Sequence, residues 1–213
     1  MQDWNPALYL RFANERTRPA AELLARVPSS LHSPARSLRI VDLGCGPGNI
    51  SFRLARRWPE AEVLGVDGAA AMLQLAEAKL AGDGALQARV RFERACLPAP
   101  QLAGGYSAVV SNSLLHHLQN PAALWTSLRL FGSQRAVVVI RDLRRPQDPD
   151  EQEALVQRYA GQAPDLLRRD FRHSLAAAYR PDEVEAQLQQ AGLEGLRVEA
   201  RDDRYLDVSG LLS

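Results

Sequence analysis

Residues 41–49 read Val-Asp-Leu-Gly-Cys-Gly-Pro-Gly-Asn, with three glycines at every second position from Gly44 to Gly48. The segment follows a β-rich apolar run and precedes a helix-forming one. Glycines at a strand-to-helix turn let the backbone approach a ligand and aim the helix N-terminus at it. In an open parallel sheet, ligands lie outside the carboxyl ends of the strands. The loop therefore points to an α/β chain that binds a nucleotide-containing cofactor at that edge.

The rest of the chain follows the same logic. β-rich runs at residues 37–43, 61–66, 90–94, 106–110 and 136–140 alternate with helical stretches near residues 50–58, 69–80 and 121–130. Such alternation predicts a parallel sheet. The unbroken run Ala136 to Ile140 suits a strand buried on both faces. A helix is expected at residues 19–26, and residues 144–180 form a polar region with helices near 151–159 and 164–178. A further helix at 181–191 stops at Gly192, and the runs 195–200 and 205–208 are expected to close the chain as an antiparallel pair. No repeat or linker divides the 213 residues, so one domain is expected.

Composition narrows the partners. With 26 Lys+Arg against 25 Asp+Glu, the net charge of +1 gives no footprint for nucleic acid or an anionic membrane. Two cysteines, Cys45 and Cys96, cannot build a disulfide framework or a four-thiolate metal site. The first residues show no secretory signal, and no apolar run is long enough to span a bilayer, so a soluble cytoplasmic protein without a metal is expected.

The cofactor follows from spacing. A dinucleotide loop reads G-x-G-x-x-G with an acid roughly 20 residues on. This loop is G-x-G-x-G, with Asp42 before it, Pro47 inside it and Asp67 after the second strand. A carboxylate at Asp67 would accept from ribose hydroxyls under either reading. The ordered set of Asp42, three glycines, Asp67 and a fourth strand running into Ser111 to Leu118 is far more specific than glycines alone.

On these residues the chain resembles the class I S-adenosylmethionine-dependent methyltransferases, over roughly residues 4–193. Residues 41–49 resemble the family's first motif and residues 63–67 its acidic second strand end. Residues 91–98 resemble the adenine-contacting segment, 106–118 the fourth-strand motif, and 137–146 the fifth strand and its exit. The N-terminal residues 3–12 and 15–19 are similar to those of trans-aconitate methyltransferases, whereas His116, His117 and the region after Asp142 depart from that group. The resemblance implies a Rossmann-like fold: a seven-stranded, mostly parallel sheet with an antiparallel C-terminal hairpin and helices on both faces. It implies S-adenosylmethionine as cofactor. The family's acid for the adenine amine is replaced by Ala95 and Cys96, leaving that contact to backbone atoms.

Candidate cofactor contacts are Tyr9, Arg16, Asp42, Gly44, Cys45, Gly46, Asp67, Gly68, Met72, Ala95, Cys96 and Ser111. Each has a plainer reading. Asp42 can accept from the cofactor's amino group or from its own loop. Asp67 can cap the next helix, Arg16 can pair with Glu15 or Glu22, and Met72 can be core. By the resemblance, Tyr9 and Arg16 lie in a cofactor lid spanning residues 1–30. Residues 144–180 are expected to cover the acceptor pocket. Candidate catalytic residues are His117, Asp142 and His173. At most one of His116 and His117 is expected to face the site, since adjacent helical residues do not share a face. The expected reaction is in-line methyl transfer to a small-molecule acceptor, with a carboxylate among the candidates and nucleic acid excluded. The alternatives are a nicotinamide-dependent oxidoreductase on a Rossmann sheet and a non-catalytic S-adenosylmethionine-binding protein.

Overall fold

Why residues 39–43 form a central strand is visible in their burial: four of the five residues Arg-Ile-Val-Asp-Leu are buried and the apolar ones are branched. The computed structural model describes residues 38–102 and 104–213. The expected helix at residues 19–26 and the candidates Tyr9 and Arg16 lie outside the described residues.

The elements are β1 (Arg39–Leu43), α1 (Asn49–Arg57), β2 (Glu62–Asp67), α2 (Ala70–Ala81), the short α3 (Gly84–Gln87), β3 (Val90–Arg94) and β4 (Tyr106–Asn112). After a 3₁₀ turn (Leu115–His117) come α4 (Ala122–Phe131), β5 (Gly132–Leu143), α5 (Pro149–Ala160), α6 (Asp165–Ala177), α7 (Pro181–Gln190), β6 (Leu196–Ala200) and β7 (Tyr205–Leu211). The seven strands lie in the order β3-β2-β1-β4-β5-β7-β6. Strands β1 to β5 pair in parallel. Strand β7 runs antiparallel to both β5 and β6. This is the expected doubly wound sheet with its antiparallel C-terminal hairpin.

Strand alternation divides the core. Val41, Leu43, Val109, Val138 and Ile140 face one layer, against Leu124, Trp125 and Leu128 of α4 and Val184 and Leu188 of α7. Ile40, Val63, Ala108, Val110 and Val139 face the other, against Phe52, Leu54 and Ala55 of α1. Each large buried aliphatic side chain contributes about 1.5–3 kcal/mol by leaving water. Trp125 also donates from Nε1 to Gln187 Oε1 at 3.0 Å, joining α4 to α7.

The region after β5 forms a third cluster, in which Leu143, Leu155, Val156, Leu175, Ala178 and Tyr205 are buried together. Helix α5 begins at Pro149, where the missing N–H costs nothing. Asp148 accepts from Glu151 N at 2.8 Å, and Glu151 Oε2 accepts from Gln147 N at 2.6 Å. Helix α6 packs on α5 and on the 3₁₀ turn after β4.

Several element bounds differ from the sequence expectation: β4 runs on to Asn112 and β7 to Leu211, past residues 110 and 208. Strand β5 starts at Gly132, not Ala136, because Gly132 pairs with Tyr106 across an irregularity in the ladder. Helix α3 follows directly on the glycine turn that ends α2, in a stretch where no element was expected. Beneath the β5–β7 ladder, Arg141 and Asp207 form a buried two-pronged pair, at 2.7 Å from Nε to Oδ1 and 3.0 Å from an η-nitrogen to Oδ2.

Candidate cofactor and acceptor site

The carboxyl edge of β1 hands the chain to a loop that only glycine accommodates. Gly44 and Gly48 have φ of +71° and +78°, which other residues reach at a cost of roughly 1–2 kcal/mol. A Cβ at Gly44 would lie 2.8 Å from Leu114 Cδ1, and one at Gly48 would lie 2.7 Å from Phe92 Cζ. Phe92 is itself set edge-on to Phe52, with ring centroids 5.5 Å apart. Gly48 then caps α1.

The loop's amides are all engaged. Gly44 N and Cys45 N donate to Val66 O at 2.8 and 3.1 Å, and Gly48 N donates to Cys45 O at 3.0 Å. Gly46 N donates to Asp67 Oδ2 at 2.8 Å. Pro47 has no N–H. Residues 44–48 therefore hold no amide in reserve for a pyrophosphate.

Asp67 accepts from Ala69 N as well, through Oδ1 at 2.8 Å. It thus ties the glycine loop to the start of α2, whose N-cap is Ala69. These two bonds leave each carboxylate oxygen a second lone pair. Ala95 N donates to Asp67 O at 3.1 Å, bringing the β3 exit to the same point. Ala95 is buried, Cys96 is exposed, and a Cβ at Gly68 would sit 3.4 Å from Cys96 Sγ. Met72 is buried on α2.

Asp42 turns toward α1 and accepts from Ser51 Oγ at 2.6 Å, with both residues buried. Burial raises its pKa from 3.8 to about 7; the Ser51 hydrogen bond opposes the rise and the charge of Asp67 adds to it. Ser51 is a partner that neither expectation for Asp42 included. Its only sequence signal is a hydroxyl on the otherwise apolar buried face of α1. Cys45 is buried, and desolvation with the charges of Asp42 and Asp67 holds its thiol well above the ordinary range. The thiol therefore stays neutral and is no nucleophile. Ser111 is also turned inward, donating to Leu43 O at 2.8 Å to join β4 to β1.

Two further residues belong to the loop. Lys79 Nζ reaches from α2 to Pro47 O at 3.2 Å and Asn49 Oδ1 at 3.1 Å. Nothing in the sequence near Lys79 signals that tether. At the end of β4, Asn112 donates from Nδ2 to Ser113 Oγ at 3.1 Å, and its Oδ1 is a buried acceptor with no partner.

On the acceptor side, Ser113 takes φ of +56° and the chain enters the 3₁₀ turn. Asp142, at the end of β5, accepts from Leu115 N at 2.7 Å and Leu143 N at 2.8 Å. Its Oδ1 lies 2.5 Å from His116 Nδ1, with both side chains buried. His117 is the histidine that the sequence offers as a catalytic candidate. The structure seats His116, not His117, against Asp142, because the turn directs His116 inward and leaves His117 exposed, with its ring 4.0 Å from that of His116. His173 is exposed on α6, and no described contact joins it to Asp142. Among the described residues there is no group of three or more potential metal ligands, and no helix is long and apolar enough to cross a membrane.

Residues 40–130 match the methyltransferase-domain family. The trans-aconitate 2-methyltransferase of Methylobacterium nodulans is 38% identical over 168 residues, covering 79% of this chain and 60% of that one. The Streptomyces avermitilis enzyme of the same name is 38% identical over 184 residues, covering 83% and 65%. The chain spans under two thirds of the length of both relatives. Among solved structures, the plantazolicin methyltransferase BpumL with a desmethylPZN analog and S-adenosylhomocysteine superposes at a TM-score of 0.70. It is 16% identical, with 98% of this chain and 92% of that one covered. An Aquifex aeolicus methyltransferase superposes at 0.61, also at 16% identity, covering 91% and 98%.

The fold is that of S-adenosylmethionine-dependent methyltransferases, and residues 40–130 match the methyltransferase-domain family. The chain's similarity in sequence is to the trans-aconitate 2-methyltransferases.

Proposed function

We propose that the protein transfers a methyl group from S-adenosylmethionine to a small-molecule acceptor. The observation that carries this reading is the glycine loop, cradled between Asp42 and Asp67 with its own amides engaged. Carboxyl groups at both ends of the loop suit a cationic ligand better than a pyrophosphate. The family match and the relatives' names support the same reading.

The residues present fit that cofactor. Asp67 retains lone pairs for ribose hydroxyls. Asn112 Oδ1, orphaned in a buried position, would accept from the cofactor's ammonium. The glycines at 44 and 48 leave room that a Cβ would fill, and Ala95 and Cys96 would border the adenine through their backbone. Bound S-adenosylmethionine supplies a methyl group already activated by sulfonium. The protein's part is then alignment, which can lower the barrier by on the order of 7–11 kcal/mol. We assign the lid role to residues 1–30, with Tyr9 and Arg16, and the acceptor cover to residues 144–180, with His173 on its exposed face. The near-neutral charge of the chain favours a small molecule over nucleic acid.

The test is transfer of labelled methyl from S-adenosylmethionine to trans-aconitate, a set of small hydroxyl compounds and a tRNA. Labelling of a small molecule is expected. Labelling of the tRNA alone, or of nothing, would overturn the reading.

A further inference from the structure

We infer that His116, oriented by Asp142, takes a proton from the methyl acceptor, and that the acceptor is a weakly acidic hydroxyl compound, a phenol or enol. The inference rests on the methyl-transfer reading above and names the acceptor class for that site.

Three observations converge. First, Asp142 is fixed before it meets the imidazole: Leu115 N and Leu143 N each donate to it, one to each oxygen. A carboxylate held by two backbone donors keeps its place and can only accept from the ring. Second, it takes His116 Nδ1 at 2.5 Å. With Nδ1–H engaged, the lone pair of the neutral ring is on Nε2, the tautomer a general base requires. Third, the dyad stands at the carboxyl ends of β4 and β5, on the same edge of the sheet as the glycine loop. Its turn follows Leu114, whose side chain fills the space beside Gly44 of the loop, and α6 packs over it.

The charge of the dyad separates acceptor classes. A carboxylate is already a nucleophile, needs no base, and is best held by an uncompensated cation. A buried Asp–His pair offers at most an imidazolium balanced by a carboxylate, with no net positive charge. What it does offer is proton acceptance. The step then balances. The hydroxyl proton passes to His116 Nε2. The acceptor oxygen forms the new bond to the methyl carbon as the carbon–sulfur bond breaks, its electron pair staying on sulfur. The products are a methyl ether, S-adenosylhomocysteine and an imidazolium that returns its proton to solvent. Asp142 is a positioning residue in this scheme, acting only through His116.

The experiment uses the full chain with S-adenosylmethionine and four acceptors: catechol, 4-nitrocatechol (ionised at neutral pH), acetylacetone and trans-aconitate. Wild type is expected to methylate hydroxyl acceptors. H116A should lower kcat on catechol by about 10²-fold or more, the usual worth of a general base. The same variant should lose less than about tenfold on 4-nitrocatechol, which no longer needs a base. D142N should lower kcat on catechol with little change in KM, because it disturbs the tautomer and not the pocket. Unchanged S-adenosylhomocysteine affinity shows that the variants are folded. Equal losses on the two catechols would make His116 structural and overturn the inference. Transfer to trans-aconitate alone, or to none of the four with S-adenosylhomocysteine still bound, would overturn it while leaving the cofactor reading intact. A chain that binds no S-adenosylhomocysteine fails the broader reading instead.

Discussion

Replacing Asp42 with asparagine isolates the energetic cost of a buried carboxyl under the glycine loop. Its pKa stands at about 7 against an ordinary 3.8, chiefly through burial. The folded state therefore holds this proton more tightly than the unfolded chain does. The carboxyl favours folding fully below about pH 4, and that contribution is lost as the pH rises to about 7. At about 1.36 kcal/mol per pKa unit, the loss amounts to about 4 kcal/mol in all, and to about 2 kcal/mol between pH 5 and pH 7. The amide in D42N would keep the acceptor for Ser51 and copy the shape of the neutral acid. It would still cost about 1–3 kcal/mol if its N–H groups find no acceptor. The assay is urea unfolding of wild type and D42N at several pH values. The difference between the two curves cancels other titrating groups. D42N should gain about 2 kcal/mol on wild type from pH 5 to pH 7, at whatever offset it starts. Parallel pH dependences would show instead that Asp42 is ionised throughout or solvated.

Two further perturbations test the frame. G48A forces a non-glycine residue to φ of +78° and presses its Cβ within 2.7 Å of Phe92. It should destabilise the protein by about 2–4 kcal/mol and weaken S-adenosylhomocysteine binding, as read by urea midpoint and calorimetry. D207L leaves the Arg141 guanidinium buried without its two-pronged partner and should cost about 3–5 kcal/mol in the same unfolding assay. R141M with D207L should recover most of that loss, since an apolar pair removes both buried charges.

Much of this architecture could be read from residue order. The alternation of branched apolar runs with helical stretches is local, and so are the glycine spacing, Asp67 and the proline start of α7. What escaped the sequence was made through space. Residues 132–135 are Gly-Ser-Gln-Arg and carry no strand signal; they join β5 because Gly132 meets Tyr106 across the sheet. Ser51 is one hydroxyl in a helix until β1 turns Asp42 toward it. Lys79 lies 32 positions from Pro47, yet the packing of α2 brings its ammonium to that carbonyl. The choice between His116 and His117 depends on the direction of a single 3₁₀ turn, which adjacent identical residues cannot reveal. The pairing of His116 with Asp142 spans 26 positions, and only the parallel neighbours β4 and β5 bring the two together.

The role proposed for the acid-flanked glycine loop is to hold the methyl-donor cofactor. Isothermal titration of the full chain with S-adenosylhomocysteine and, separately, with NADH tests it most directly. Saturable binding of S-adenosylhomocysteine at one site is expected, and no binding of NADH. At least about tenfold weaker binding is also expected in D67N, about 1.4 kcal/mol, since an amide there cannot accept from both Gly46 N and Ala69 N while holding a ribose. Binding of NADH, or S-adenosylhomocysteine affinity untouched by D67N, would contradict that role.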